Sequence, residues 1–190
     1  MATNTLNAPM TDAEWQSHSL STLTRHIVGT HHQFLREALP RLSARFAEAR
    51  ARTPDDTIAA LGPVFAAMRA ELELHMGKEE HVLFPFIERV EQALAGSLPR
   101  PVPPFGTVGN PIRMMEQEHE SALGAIDEMR RITNGYTLPP EATDLHRAIY
   151  GELAELESDL RLHIHLENDI LFPRAVAMEC GNQCGGPRKT

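Results

Sequence analysis

Two stretches of the chain carry the same chemistry-bearing pattern. His75-Met-Gly-Lys-Glu79-Glu-His-Val-Leu83-Phe84-Pro85 and His163-Ile-His-Leu-Glu167-Asn-Asp-Ile-Leu171-Phe172-Pro173 both read His-x3-Glu-x3-Leu-Phe-Pro, 88 residues apart. A weaker pair precedes them: His32 and His119 are 87 residues apart, and each stands 43 or 44 residues before its own His-x3-Glu. The chain thus reads as two similar halves, each with one lone histidine and one His/Glu pair. Residues four apart on an α-helix share a face, about 6 Å apart along the axis. A His and a Glu so spaced can serve one point in a bundle interior. Gathered there, His32, His75, His119 and His163 with Glu79 and Glu167 would bury six polar groups. An unpaired ionised carboxylate in such a place costs several kcal/mol. A cluster of cations removes that cost, with imidazoles outside and the two carboxylates bridging a pair of metals. Nitrogen and oxygen ligation without thiolates suits iron, manganese or zinc.

A single His-x3-Glu is usually a solvated helix pair. Two copies, each followed by Leu-Phe-Pro and each preceded by a histidine at matched separation, do not fit that explanation. The carboxylate-rich bundle site built from Glu-x-x-His pairs fits no better, because only Glu116 and His119 have that spacing.

Helices must position these groups. The first long stretch, about 20–51, has Leu23, Ile27, Phe34, Leu35, Leu39, Leu42 and Phe46 at helical spacing, with Pro40 predicted to kink it. Thr53 and Pro54 stop it, and the second runs from Asp56 to about Leu94, interrupted by Pro63 and Pro85. A Pro/Gly-rich linker over 96–110 follows. Asn110 and Pro111 are the expected N-cap and first residue of a third helix reaching Thr133, closed by Asn134-Gly135. A fourth opens after Pro139-Pro140-Glu141 and ends near Met178. No stretch alternates like a strand. The expected fold is all-α, an antiparallel four-helix bundle with an internal two-fold pseudo-repeat. The body spans 20–178, in halves 20–95 and 110–178, between a disordered or short lead (1–19) and a flexible Cys-containing tail (179–190).

Composition narrows the function. The 190 residues include 18 Lys+Arg against 26 Asp+Glu, a net charge of −8, which argues against a nucleic-acid grip. No apolar run is long enough to span a membrane. The first twelve residues lack the pattern of a secretory signal. The two cysteines, Cys180 and Cys184, do not make a disulfide scaffold, so a cytoplasmic location is expected.

The same residues resemble hemerythrin-like, or HHE cation-binding, domains. Within these the chain is most similar to the di-iron proteins for repair of iron-sulfur clusters, the RIC family. The resemblance rests on His26-Ile-Val-Gly-Thr-His-His32, Arg36-Glu37-Ala-Leu-Pro40, Lys78-Glu79-Glu80, Pro103-Pro-Phe-Gly106, Asn110-Pro-Ile-Arg-Met-Met-Glu-Gln-Glu-His119 and His163-Ile-His-Leu-Glu-Asn168. It covers about 20–178. It implies that His32, His75, His119 and His163 bind two iron ions, with Glu79 and Glu167, and an oxo group beside them, as bridges. Glu71 and Glu118 match glutamates beside the family's site, where they could relay protons; as residues alone they read equally as partly solvated helix acids. The oxygen-carrying hemerythrins use five histidines. This chain offers four, which leaves open positions on the irons.

Two departures stand out. The family's N-terminal module with its adjacent cysteines has no counterpart in the polar lead, and a histidine common near the end of the first helix is replaced by Thr53. That position is 21 residues from His32, about 31 Å along a straight helix. His31, His81, His146 and His165 fall off the ligand face by helical rotation, and His26 is a candidate for the core or for contact with a ligand. Cys180 and Cys184 could oxidise, bind metal or pass iron on, or form a frayed tail.

The function these readings imply is a non-haem di-iron protein of the nitrosative or oxidative stress response. It would donate iron to damaged iron-sulfur proteins, or reduce nitric oxide at the open positions as an enzyme. An O2- or NO-binding or sensing module without turnover is the alternative, and a structural zinc or manganese bundle a third.

Overall fold

Apolar residues recurring three and four apart wind each long stretch into a helix with one buried face. The computed structural model describes residues 10–52, 55–99 and 101–180. Thr53, Pro54 and Cys184 lie outside them. The first bundle helix comprises α2 (Leu20–Ile27), a π-helical turn (Val28–His32) and α3 (Gln33–Arg52). It follows a short α1 (Asp12–Ser17). The second comprises α4 (Asp56–Lys78), a π turn (Glu79–Leu83) and α5 (Phe84–Leu94). The third is α6 (Gly109–Ile132), and the fourth is α7 (Asp144–His165), a π turn (Leu166–Leu171) and α8 (Phe172–Cys180). No strand occurs among the described residues. The all-α antiparallel bundle expected from the sequence is the fold: His75 meets His119 and Glu71 meets Ser121, while Asp127 meets Arg161 and His119 meets Asn168.

Pro40, expected to kink its helix, and Pro63, expected to kink or divide the second stretch, both sit within continuous helices, so neither splits its stretch into two segments. The change of geometry falls instead in the π turns. Proline lacks an amide hydrogen and its ring crowds the carbonyl four residues back. For Pro85 and Pro173 those carbonyls belong to His81 and Asp169, inside the turns at Glu79–Leu83 and Leu166–Leu171. The repeated Leu-Phe-Pro thus widens both helices at the same place.

Several ends differ from expectation. Within the expected lead, residues 12–17 are a helix capped by Thr11 and Glu14, with Trp15 buried. The third helix starts at Gly109, not Pro111. Asn110 donates its amide to Phe105 O at 2.8 Å, and the Val108 N–H is instead met by both carboxylate oxygens of Glu179, at 3.2 and 3.0 Å. His146 is structural: it closes a capping box with Thr143, and its Nε2 lies 3.0 Å from Asp55 Oδ2, the cap of α4.

Two apolar clusters make the core. One, around Leu35, Leu42, Phe65, Leu72, Ile126, Leu153 and Leu160, fills the end of the bundle where α3 ends and α4 begins. The other, around Leu23, Ile27, Leu83, Ile87, Met115, Ile170 and Phe172, fills the opposite end. A layer of buried histidine and glutamate separates them. Among the described residues no helix is long and apolar enough to cross a membrane.

The start of α2 is held by Glu91, which accepts from Leu20 N at 2.7 Å, Ser21 N at 2.9 Å and Ser21 Oγ at 2.5 Å. Burial raises the Glu91 pKa, but the bonds from Ser21 and Leu20 outweigh it and hold the carboxyl below its ordinary 4.5. A lowered folded-state pKa contributes stability that is complete above the ordinary value and is lost as pH falls. Glu91→Ala is expected to cost about 1–2 kcal/mol, the range for a charge-assisted cap at a helix N-terminus, in urea unfolding near pH 7. The gap to the parent protein should shrink as pH falls below 4.5.

Candidate metal centre

His32 ends the first π turn, Glu79 opens the second and Glu167 stands second in the third. His75 and His163 lie one turn earlier on α4 and α7, and His119 lies on α6. All six are buried, the two carboxylates completely. The structure brings them together as two overlapping clusters: His32, Glu79, His163 and Glu167, then His75, Glu79, His119 and Glu167. Within each, one ligand atom per residue lies within 4.8 Å of every other.

The carboxylates belong to both clusters. Glu79 Oε2 lies 3.3 Å from His32 Nε2 and 3.3 Å from His75 Nε2. Glu167 reaches His163 Nε2 with Oε1 and His119 Nε2 with Oε2, each at 3.0 Å. The Nε2 atoms of His75 and His119 are 3.0 Å apart. Each cluster therefore takes one imidazole from each half of the chain, with Glu79 and Glu167 spanning the two.

The outer nitrogens are largely occupied. His32 Nδ1 lies 2.6 Å from Glu80, His75 Nδ1 2.9 Å from Glu118 and His119 Nδ1 2.8 Å from the Asn168 carbonyl oxygen. Carboxylate and carbonyl oxygens only accept, so each ring donates Nδ1–H and turns its Nε2 inward. Arg36 pairs with Glu80, and Lys78 with Glu118. Phe84 stacks beside His32 at 5.9 Å, and Phe172 beside His119 at 6.0 Å. The Phe of each Leu-Phe-Pro thereby walls the lone histidine of its half.

Electrostatics follow from this packing. Burial disfavours the charged form of His75, but the charges of Glu79 and Glu167, with the hydrogen bond His75 donates to Glu118, overcome it and raise its pKa to about 9. His32 is raised for the same reason, by Glu79, Glu167 and Glu80 against burial. Burial pushes Glu167 up, yet His163 and His119 hold it well below the ordinary glutamate range. Both oxygens of Glu79, Glu167 Oε2 and His32 Nε2 are buried without a hydrogen bond of good geometry. Lone pairs that converge inward and lack donors are what a cation satisfies. The donor set fits one, and its oxygen and nitrogen composition fits iron, manganese or zinc.

Of the remaining residues singled out by sequence, Glu118 contacts His75, whereas Glu71 is exposed and accepts from Ser121 Oγ at 2.8 Å. Both line one surface hollow with Lys78 and Ser121. His81 turns outward onto Gly77 O, and His165 pairs with Asp169 and Asp12. His26 is half-buried against Trp15. His31 stands outside both clusters, as its rotation off the ligand face predicts; it is only 2 % exposed and stacks on His163. The chain is π-helical there, which buries His31 beside His32. Glu80 and Asn168 each follow a central carboxylate by one residue, a signal present in the repeat itself.

This site within this bundle defines a cation-binding helical domain. The model of the hemerythrin HHE cation binding domain matches residues 23–175, and the chain belongs to that family. It is 34% identical over 171 residues to the iron-sulfur cluster repair protein YtfE of Cronobacter sakazakii, covering 88% of this chain and 71% of that one. The YtfE proteins of Salmonella paratyphi B and Salmonella newport match to the same extent.

A bound cation stabilises the folded state by mass action, about 2.7 kcal/mol at a hundredfold excess over Kd. Adding iron(II) to chelator-treated protein is expected to raise the thermal midpoint. Glu79→Gln with Glu167→Gln should abolish the rise while leaving the circular dichroism spectrum helical.

Proposed function

We propose that this chain holds two iron ions between its halves and supplies iron for the repair of damaged iron-sulfur clusters. The observation that carries this reading is the pair of fully buried carboxylates, Glu79 and Glu167, each reaching imidazoles of both clusters. His32 and His163 would hold one ion, His75 and His119 the other. The relatives named for cluster repair support the choice of iron over manganese or zinc. On this reading iron is cargo as much as cofactor, and four histidines leave positions free for an incoming ligand. A reducing cytoplasm is the matching compartment.

The ions would supply redox and Lewis-acid chemistry toward small diatomic molecules such as NO and O2. The chain's part in nitric oxide reduction would be proton supply. Glu118 is placed for it, since it is 28% exposed and bonds to His75; Lys78 and His75, against burial, hold its pKa below the ordinary value, so it would pass protons on as a carboxylate and not store one. Glu71, on the rim of the same hollow, would serve as its outer relay.

Iron analysis with optical spectra in both redox states tests the reading. Purified protein should bind two irons, and His75→Ala with His163→Ala should lose them. Iron-loaded protein mixed with a cluster protein stripped of iron should restore that protein's activity. Absence of iron, or unchanged iron in the double variant, overturns the proposal. A stable, reversible oxygenated spectrum without iron transfer would make the chain an O2 or NO binding module instead.

A further inference from the structure

The repeat supplies an internal control for the environment of each imidazole. His75 and His163 are equivalent, and so are His32 and His119. Glu80 takes the outer N–H of His32, and its equivalent Asn168 takes that of His119. The correspondence fails once. Glu118, the residue before His119, takes the outer N–H of His75. The residue before His32 is His31, which accepts nothing from His163. Its ring lies parallel to the His163 ring, 6° apart with centroids at 5.4 Å, and its own Nδ1 pairs with Asp159 at 2.9 Å. An N–H lies in its ring plane and cannot donate to a ring stacked on its face. His163 Nδ1 is buried and has no hydrogen-bond partner among the described residues.

An acceptor on the outer nitrogen orients a ligating imidazole and makes it a stronger donor, and its loss costs about 10–100-fold in metal affinity. The carboxylates behind His32 and His75 are each shared with a cation, Arg36 or Lys78, so their effects offset. What remains is a carbonyl acceptor behind His119 and none behind His163. We propose that the two metal positions are inequivalent: the one formed with His75 and His119 retains its ion, and the one formed with His32 and His163 is the position that exchanges iron. This rests on the proposed iron site and names the part of it from which cargo leaves.

The test is anaerobic titration of the full, metal-free chain with iron(II) against a competing chelator. Two classes of one equivalent each are expected, about 10–100-fold apart in affinity. His163→Ala should remove the weaker class and keep the tighter, and His75→Ala the reverse. His31→Glu, which copies Glu118 into the other half, should tighten the weaker class. Glu118→Gln should weaken the tighter one. Two indistinguishable equivalents in the parent protein, or loss of the tighter class in His163→Ala, would overturn the proposal and leave the iron site standing. Failure to bind iron at all would overturn both. The parent titration decides the matter even if a variant does not fold.

Discussion

Two carboxylates with no solvent exposure, Glu79 and Glu167, set the constraint to which the rest of the molecule answers. Anions removed from water need positive charge or directed hydrogen bonds nearby. Without a cation that charge comes from the imidazoles, which is why His75 and His32 hold protons more tightly than usual against the pull of burial. With a cation the protons leave, since a ligating imidazole is neutral. At the proposed metal site protons and metal would therefore compete for the same nitrogens, and loading would be tied to pH through His75 and His32.

The two apolar clusters make this tolerable. Each holds one end of the bundle by ordinary burial, so the polar layer between them need not contribute hydrophobic stabilisation of its own. The repeated Leu-Phe-Pro serves both purposes. Leu83 and Leu171 join the apolar cluster, Phe84 and Phe172 wall His32 and His119, and Pro85 and Pro173 favour the widened turns that begin beside the carboxylates.

The six central residues and the bundle were legible because duplication made their spacing visible twice. Glu80 and Asn168 were legible in principle, as neighbours of the carboxylates within the repeat. The π turns were not, because apolar periodicity was read at α-helical pitch and a widened turn disturbs it over only five or six residues. His31 lies off the ligand face as its rotation predicts, and the π turn buries it together with its neighbour His32. The cap of α6 was also out of reach, since Glu179 lies 71 residues from Val108 and no local rule connects them. Glu71 and Glu118, alike in sequence and lining one hollow, differ in what they reach. One contacts His75 and the other Ser121.

Each cluster draws one imidazole and one carboxylate from each half of the chain. Neither half alone contains a complete set, so a pair of ions held there would act as a clasp across an internal seam. The linker from Gly96 to Val108 ties the halves covalently, while the ions would tie them at the centre. Retention of metal and docking of the halves then become one equilibrium. Any event that parts the seam would strip half the proposed protein ligands from both ions in a single motion.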